Sequence, residues 1–253
     1  MEFTLQIIMI IAFGAIFGSY ATLFAYRLPR GESCFGRYFG KKSRCPNCGF
    51  TLMTRDLIPL INWLVTCGRC RSCKTKVPRV HLFVELTTTI LFLFCFANFG
   101  FTQEFVVNCM IATAMVIIMA CDITHKKFTD PAMIFLAFFI IIDRLIVDQN
   151  LLNIVYSVLT AVIISSIFYQ IIYKKLHYLF PNQHQVFDYI KFMLIASLAL
   201  DYQLFLYYFV QVLVILTILI FFRILTKKNH LSIGYVFVFP LLWILIIQPI
   251  SIN

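Results

Sequence analysis

Long apolar segments recur along the whole chain. Eight of them reach or approach the length of a membrane helix, and one long polar loop follows the first. The segments cover residues 5–27, 80–98, 103–121, 131–147, 151–173, 186–200, 203–224 and 231–250. About 20 apolar residues span a bilayer as a helix, because backbone groups in lipid must satisfy their own hydrogen bonds. We therefore predict an all-α membrane protein with about eight transmembrane helices.

The composition excludes a soluble globular domain. The chain is 61% hydrophobic and only 13% charged, whereas soluble domains average about 25% charged residues. The segment 186–200 is the shortest; at about 22 Å it would have to thin the bilayer or tuck against its neighbours. The first segment has no Lys or Arg before it and is longer than a signal-peptide core. We expect it to be a retained helix.

Basic residues alternate between the loops. The stretch from Arg27 to Arg79 holds twelve of the 21 Lys and Arg residues and only two acids. Later loops carry lysine pairs at 126–127, 174–175 and 227–228, and the loops between them carry none. Because Lys and Arg collect on the cytoplasmic side, we expect a cytoplasmic long loop and both termini outside. This topology explains the net charge of +10, so the expected partner is the lipid bilayer, with no nucleic acid.

Four of the nine cysteines form two C-x-x-C pairs in the long loop. Cys45 and Cys48 lie in "RCPNCGF", and Cys70 and Cys73 lie in "GRCRSCK". Twenty-one residues separate the pairs, just beyond the usual spacing of such zinc sites. Two tight turns presenting four thiolates suit tetrahedral zinc, and a closed four-ligand site would be structural. Two disulfides are the alternative, although they are rare in a cytoplasmic loop.

These features divide the chain into three parts. Residues 1–28 are predicted to form the first transmembrane helix. Residues 29–79 are predicted to form a cytoplasmic four-cysteine zinc-binding domain. Residues 80–253 are predicted to form a transmembrane core with about seven helices.

Several acids lie at the ends of the apolar segments. Asp122 directly follows the third segment, and Asp188 lies at the start of the sixth, on the same side of the membrane. Position alone leaves Asp122 open between a marker of the membrane boundary and a functional acid. Glu85 is likewise open between a functional acid and a helix amino terminus. Asp130 precedes Pro131, which favours a role as helix N-cap.

Several stretches of the chain are similar to the sequence patterns of one family. "FGSYATLFAYRLPRGES" is similar to the pattern G-S-F-x-N-x-x-x-Y-R-L-P. "CPNC" and "RDLIPLINWLVTCGRCRSC" are similar to the cysteine pairs and the D-x-I-P-x-x-S-W segment, and "RVHLFVEL" to R-Y-P-x-V-E-L. "CDITHKKFTDP" is similar to D-x-x-x-x-x-I-P-D, with Asp122 first and Asp130 last. In these stretches the chain resembles the type IV prepilin peptidases, the leader peptidases of pilus and type II secretion systems.

The resemblance implies a bacterial inner-membrane aspartyl protease. Family members cleave a short basic leader from prepilins or pseudopilins at the cytoplasmic face. Many then N-methylate the new amino terminus with S-adenosylmethionine. The family's catalytic acids correspond to Asp122 and, at the G-x-G-D motif, to Asp188. This sequence has Gln185 and Phe187 where that motif has glycines.

Two carboxylates that share one proton could hydrolyse a peptide bond, and they need water to do so. Water is available at the cytoplasmic end of a membrane helix, which explains acids at that position. One can act as general base towards water and the other as general acid towards the peptide carbonyl. The missing glycines motivate an alternative, a non-catalytic zinc-stapled membrane scaffold of a pilus or secretion system. A small transporter is a third hypothesis, but its acids would be expected at mid-membrane rather than at one interface.

Overall fold

The computed structural model describes residues 2–34, 42–147, 151–175, 183–226 and 233–247. Within these ranges the protein is helical, and the pairing of extended chain is limited to two isolated bridges in the cysteine loop. The helices are α1 Glu2–Arg27, α2 Ile61–Val65, α3 Arg79–Phe99, α4 Gln103–His125, α5 Asp130–Val147, α6 Leu151–Lys175, α7 Gln183–Ala199, α8 Tyr202–Thr226 and α9 Tyr235–Leu242. The predicted all-α membrane fold is confirmed.

Five of the described helices are long and apolar enough to cross a membrane, namely α1, α3, α4, α6 and α8. Each of the other predicted segments also contains a helix, but α5 carries charges at both ends and α7 has 17 residues. The last segment is described from residue 233 to 247. There α9 continues as a π-helical turn, Trp243–Ile247, and together they extend only about 20 Å. The count of eight spans stays a prediction.

Helix α4 is the centre of the bundle and contacts α1, α3, α5 and α9. It is apolar on every face, and most of its side chains between Val107 and Asp122 are buried. A helix that is apolar all round is typical of such a central position. Its last turn ends at Lys126, whose left-handed backbone lets its N–H donate to the Asp122 carbonyl at 2.8 Å. Asp122 therefore belongs to the helix rather than to the following loop.

Two glycines allow α1 to pack closely against α3. A Cβ on Gly18 would lie 2.7 Å from the Glu85 Cα, and one on Gly14 would lie 2.8 Å from the Thr89 Cα. Small residues four positions apart are typical of close contacts between membrane helices. This contact fixes Glu85 against α1 and places the start of α3 beside the end of α1.

Polar contacts join the helices at the end of the bundle opposite Asp122. The Arg144 guanidinium lies 3.6 Å from the Asp201 carboxylate and donates to the Leu198 carbonyl at 2.8 Å. Asn108 of α4 lies 3.4 Å from the Asp143 carboxylate of α5. Asp201 is therefore remote from Asp122, as the sequence predicted.

Candidate functional site

The two C-x-x-C pairs form two turns of the same geometry. In the first turn the Gly49 N–H donates to the Cys45 carbonyl at 2.9 Å, and in the second the Lys74 N–H donates to the Cys70 carbonyl at 3.0 Å. Gly49 and Lys74 both have left-handed backbones, with φ of 70° and 59°. The chain therefore reverses directly after each pair and presents both thiols on one side.

The four thiols form one cluster. Their sulfur atoms all lie within 4.8 Å of one another, with 3.8 Å between Cys45 and Cys73 and 4.0 Å between Cys48 and Cys70. Four sulfurs about 2.3 Å from a tetrahedral metal ion would be about 3.8 Å apart. A disulfide would need about 2.05 Å, and all nine cysteines are free thiols. The cluster could therefore hold a metal ion, and the disulfide alternative is not observed.

Hydrogen bonds around the cluster favour the thiolate of Cys73. The Cys73 sulfur lies 3.2 Å from the Thr75 hydroxyl, and the Asn47 amide donates to that hydroxyl at 2.8 Å. Bonds from the Thr75 side chain and backbone lower the pKa of Cys73 to about 5. At Cys48 the hydrogen bond from the Phe50 backbone acts to lower the pKa. Desolvation and the neighbouring thiols together outweigh it, so the pKa of Cys48 is raised.

Two acids, the buried Asp56 and the partly buried Glu85, tie the cysteine loop together and to the bundle. Asp56 accepts from the Arg71 side chain at 2.8 Å and from the Met53 N–H at 3.0 Å. Glu85 of α3 accepts from the Leu60 N–H at 2.8 Å. Leu60 has a φ of 58°, a conformation that costs energy for a residue with a branched side chain. The structure shows a role for Glu85 that the sequence did not predict, because its carboxylate binds the cysteine loop to α3.

A cavity of about 600 Å³ separates the cysteine loop from α1, α3 and the end of α4. Its lining includes Tyr26, Arg30, Trp63, Glu85 and His125. Arg30 stacks on Tyr26, and its Nη1 lies 3.3 Å from the His125 Nε2. The cavity therefore adjoins the last turn of α4, which is the turn that carries Asp122.

Asp122 is buried, with 1% of its surface exposed. The Gly234 N–H donates to its Oδ2 at 2.7 Å, and the Tyr189 side chain also hydrogen-bonds with it. Gly234 directly precedes α9, so the carboxylate faces the partial positive charge of a helix amino terminus. A Cβ on Gly234 would collide with the Asp122 carboxylate and the Phe128 ring. Position 234 thus requires glycine for this contact.

Asp188 lies in the second turn of α7 and is also buried. The Phe128 N–H donates to its carboxylate. The Lys191 ammonium lies 3.7 Å from the Asp188 Oδ1 and 2.8 Å from the Asp130 Oδ1. The Asp188 Oδ2 has no hydrogen-bond partner among the described residues. One carboxylate oxygen is therefore held, and the other is free to bind a further group.

Tyr189 and Phe128 join the surroundings of the two acids. Tyr189 follows Asp188 in α7 and reaches Asp122 in α4. The Phe128 backbone binds Asp188, while its ring packs on Tyr189 with centroids 5.3 Å apart and lies against Gly234. The structure therefore brings Asp122 and Asp188 into one buried cluster at the end of the bundle that carries the cysteine loop.

Gln185 and Phe187, which stand where the motif of the resembled family has glycines, make separate contacts. The Gln185 amide donates to the Lys126 carbonyl at 2.6 Å and so anchors α7 to the turn between α4 and α5. Phe187 points away from the cluster, is half exposed and lies 5.6 Å from the Tyr169 ring. Both residues are therefore compatible with a buried Asp188.

The sequence analysis misplaced one residue and missed others. Helix α5 begins at Asp130, so Asp130 is its first residue and not its N-cap; its carboxylate binds Lys191 instead. The contacts of Gly234, Tyr189 and Phe128 were not predicted. Their types are ordinary in an apolar helical protein, and no spacing in the sequence relates them to Asp122.

These features define a multi-pass helical membrane protein with a four-cysteine cluster and a buried pair of acids at the same end. In a comparison with known proteins, residues 12–99 match the family model described as "Bacterial Peptidase A24 N-terminal domain". This match includes the cysteine cluster and Glu85, and it ends before Asp122. It confirms the family resemblance of the N-terminal region.

Curated relatives support the same family. The chain is 31% identical over 118 residues to the "Prepilin leader peptidase/N-methyltransferase" of Myxococcus xanthus. These aligned residues are 47% of this chain and 34% of the relative. It is 29% identical over 134 residues to the protein of that name from Bacillus subtilis, covering 53% and 52%. For the Vibrio cholerae protein the identity is 34% over 80 residues, covering 30% and 32%. The chain thus spans about a third to a half of the length of these relatives. No solved structure matches it.

Proposed function

We propose that this protein is a membrane aspartic endopeptidase that cleaves the basic leader from type IV prepilins or pseudopilins. The proposed location is the bacterial inner membrane, with the site on its cytoplasmic side. The observation that carries the proposal is the buried cluster that joins Asp122 of α4 with Asp188 of α7. The names of the curated relatives support the choice of prepilins as substrates.

The hydrogen bonds of the two acids favour different protonation states. Asp122 accepts from the Gly234 N–H and binds the Tyr189 side chain, and such donors stabilise a carboxylate. Asp188 keeps one oxygen without a partner among the described residues, and a proton there could bind the peptide carbonyl. We assign Asp122 as the ionised general base and Asp188 as the general acid.

Peptide cleavage then follows the usual route for two carboxylates. Asp122 takes a proton from the attacking water, and Asp188 donates its proton to the carbonyl oxygen, which gives a tetrahedral diol. When the C–N bond breaks, the leaving amine takes the proton held by Asp122 and a diol hydroxyl returns its proton to Asp188. The sum is one peptide bond and one water converted to a carboxyl group and an amine.

The proposal is tested by the rate of prepilin cleavage in lipid vesicles. Asp122→Asn and Asp188→Asn should each lower the rate by about 10²–10⁴-fold, because each removes one proton-transfer step. Bound metal should be unchanged, since neither acid belongs to the cysteine cluster. Asp201→Asn is the matched control and should cleave normally, because Asp201 pairs with Arg144 at the other end of the bundle.

Two outcomes would overturn parts of this assignment. Full activity of Asp188→Asn would exclude Asp188 as the second acid, and Asp130, which shares Lys191 with it, would become the next candidate. A wild-type protein that binds metal but cleaves no prepilin would instead support the non-catalytic scaffold.

We further propose that the four-cysteine cluster holds structural zinc within a domain of residues 29–79, between the helix of residues 1–28 and the core of residues 80–253. The thiol set and the sulfur separations fit a tetrahedral zinc site. Four protein ligands leave no open coordination position. Zinc would therefore stabilise the loop and take no part in peptide cleavage.

We also propose that the cavity beside the loop binds S-adenosylmethionine, which would supply the methyl group for the new amino terminus. Its volume lies within the range of about 300–1,000 Å³ typical of small-molecule sites. It adjoins the last turn of α4, where Asp122 would release that amino terminus. Leu23 lines the cavity. Leu23→Trp, which fills the cavity, should abolish calorimetric binding of S-adenosylmethionine while cleavage continues. Unchanged binding would exclude this site.

A further inference from the structure

The segment Leu57–Val65, with the sequence "LIPLINWLV", exposes a continuous set of apolar side chains. It contains no charged residue. Five residues are 45–72% exposed: Leu57, Ile58, Ile61, Leu64 and Val65. Leu57 and Ile58 also line the cavity beside the loop, whereas Ile61, Leu64 and Val65 lie outside its lining. A patch of this kind on a polar loop is typical of a surface that another apolar phase covers.

A hydrogen bond fixes the depth of this segment along the bundle. The Leu60 N–H donates to Glu85, which lies six residues, or about 9 Å, beyond the start of α3 at Arg79. Helix α3 has 21 residues and is about 31 Å long, which matches the hydrocarbon thickness of a bilayer. At the level of Glu85, α1 packs against α3 through Gly18. Leu60 therefore lies beside the membrane-spanning part of α3 and not above it.

The backbone of the segment is suited to this depth. Inside a bilayer, backbone polar groups need partners from the protein. The Leu60 N–H has Glu85, and the N–H groups of Asn62 and Leu64 donate to carbonyls four residues earlier, both at 3.1 Å. Exposed Arg55 and Arg69 flank the segment on either side, where they could reach lipid phosphates.

We propose that Leu57–Val65 is a re-entrant segment whose Ile61, Leu64 and Val65 side chains insert into the acyl chains of the leaflet on the side of the cysteine loop. The Glu85 Cα lies about 9 Å inside the start of α3, and its side chain reaches the Leu60 N–H from that level or from nearer the helix start, in agreement with the 5–10 Å at which interfacial amphipathic helices lie. The occupant of the patch is therefore lipid, and the patch continues the lipid-facing surface of the adjacent helix. The insertion anchors the cysteine loop to the membrane at a second point, besides the chain connections to α1 and α3. This proposal does not depend on the proposed peptidase activity.

Quenching of tryptophan fluorescence by brominated lipids tests the insertion. The parent protein is Trp243→Phe, which keeps Trp63 in every sample. Leu64→Trp adds a fluorophore within the segment, and Thr51→Trp adds one at an exposed position of the same loop. Each protein is reconstituted in vesicles of phosphatidylcholine with and without bromine on the acyl chains, and its metal content is measured to show that the loop is folded.

The emission added by Leu64→Trp should be lost largely in brominated vesicles, and that added by Thr51→Trp should be retained. Bromines close to the glycerol should quench more strongly than bromines at the end of the chain, because the insertion is shallow. If Leu64→Trp loses the metal, Val65→Trp replaces it, since Val65 is the most exposed of the five side chains. Emission that bromine does not quench, in a variant that keeps its metal, would overturn the proposal; a blue shift in that case would indicate burial against protein.

Discussion

The regions before and after residue 100 show two ways of building a site. In the N-terminal region the ligands come in pairs three residues apart, and each pair is arranged by its own turn. In the C-terminal region Asp122 and Asp188 come from helices separated by 66 residues in sequence, and their contacts run through Gly234, Tyr189 and Phe128. The N-terminal region also matches a family model. In the C-terminal region, Asp188 is preceded by Gln185 and Phe187 where the resembled motif has glycines. The geometry of single turns forms the cysteine pairs, whereas contacts between distant helices form the surroundings of the two acids.

Removal of one thiol of the cluster should destabilise the protein most, and the destabilisation should be limited to the N-terminal region. Cys45→Ser leaves three thiolates, and a structural four-cysteine site contributes about 10 kcal/mol or more to the folding of its domain. We expect loss of bound zinc and rapid proteolysis within residues 42–78, while α4 to α9 stay protected. Metal analysis and limited proteolysis measure both effects. Cys34→Ser is the control, because Cys34 lies outside the cluster; full metal in Cys45→Ser would contradict the site.

A methyl group at Gly234 should disturb the C-terminal region alone. Gly234→Ala places a Cβ against the Asp122 carboxylate and Phe128, and overpacking of this kind costs about 1–3 kcal/mol. We expect a lower melting temperature and prepilin cleavage reduced by about tenfold or more, since about 1.4 kcal/mol on a barrier is tenfold in rate. Zinc content should be unchanged. Normal cleavage and an unchanged melting temperature would show that Gly234 does not contact Asp122.

The smallest effect is expected at the substituted family motif. Gln185→Ala removes the hydrogen bond to the Lys126 carbonyl, which contributes about 0.5–1.5 kcal/mol. Cleavage should fall a few-fold, because α7 loses one of its contacts with the turn that follows Asp122. Phe187→Ala is the control and should cleave normally, since Phe187 points away from the cluster. Equal rates for both variants would mean that Gln185 does not substitute for the missing glycine.

The sequence alone determined the features that depend on local composition and spacing. Apolar length predicted the first seven segments to within a few residues, because a chain in lipid satisfies its backbone within each segment. Both predicted ends of the eighth, 231–250, lie outside the described residues. The C-x-x-C spacing gave the thiol cluster, because a tight turn places both sulfurs on one side whatever surrounds it. Family patterns pointed to Asp122 and Asp188.

The tertiary structure decided how these parts meet. Helix α5 starts at Asp130, one residue before the predicted start, and Asp130 binds Lys191 of α7, a contact 61 residues distant in sequence. The partners of Asp122, the tether from Glu85 to Leu60 and the role of Gln185 all join segments that are far apart in the chain. Their residue types are common in membrane helices, so composition carries no signal of the contact. Such contacts depend on how the helices pack, since packing sets which side chains face one another across a bundle.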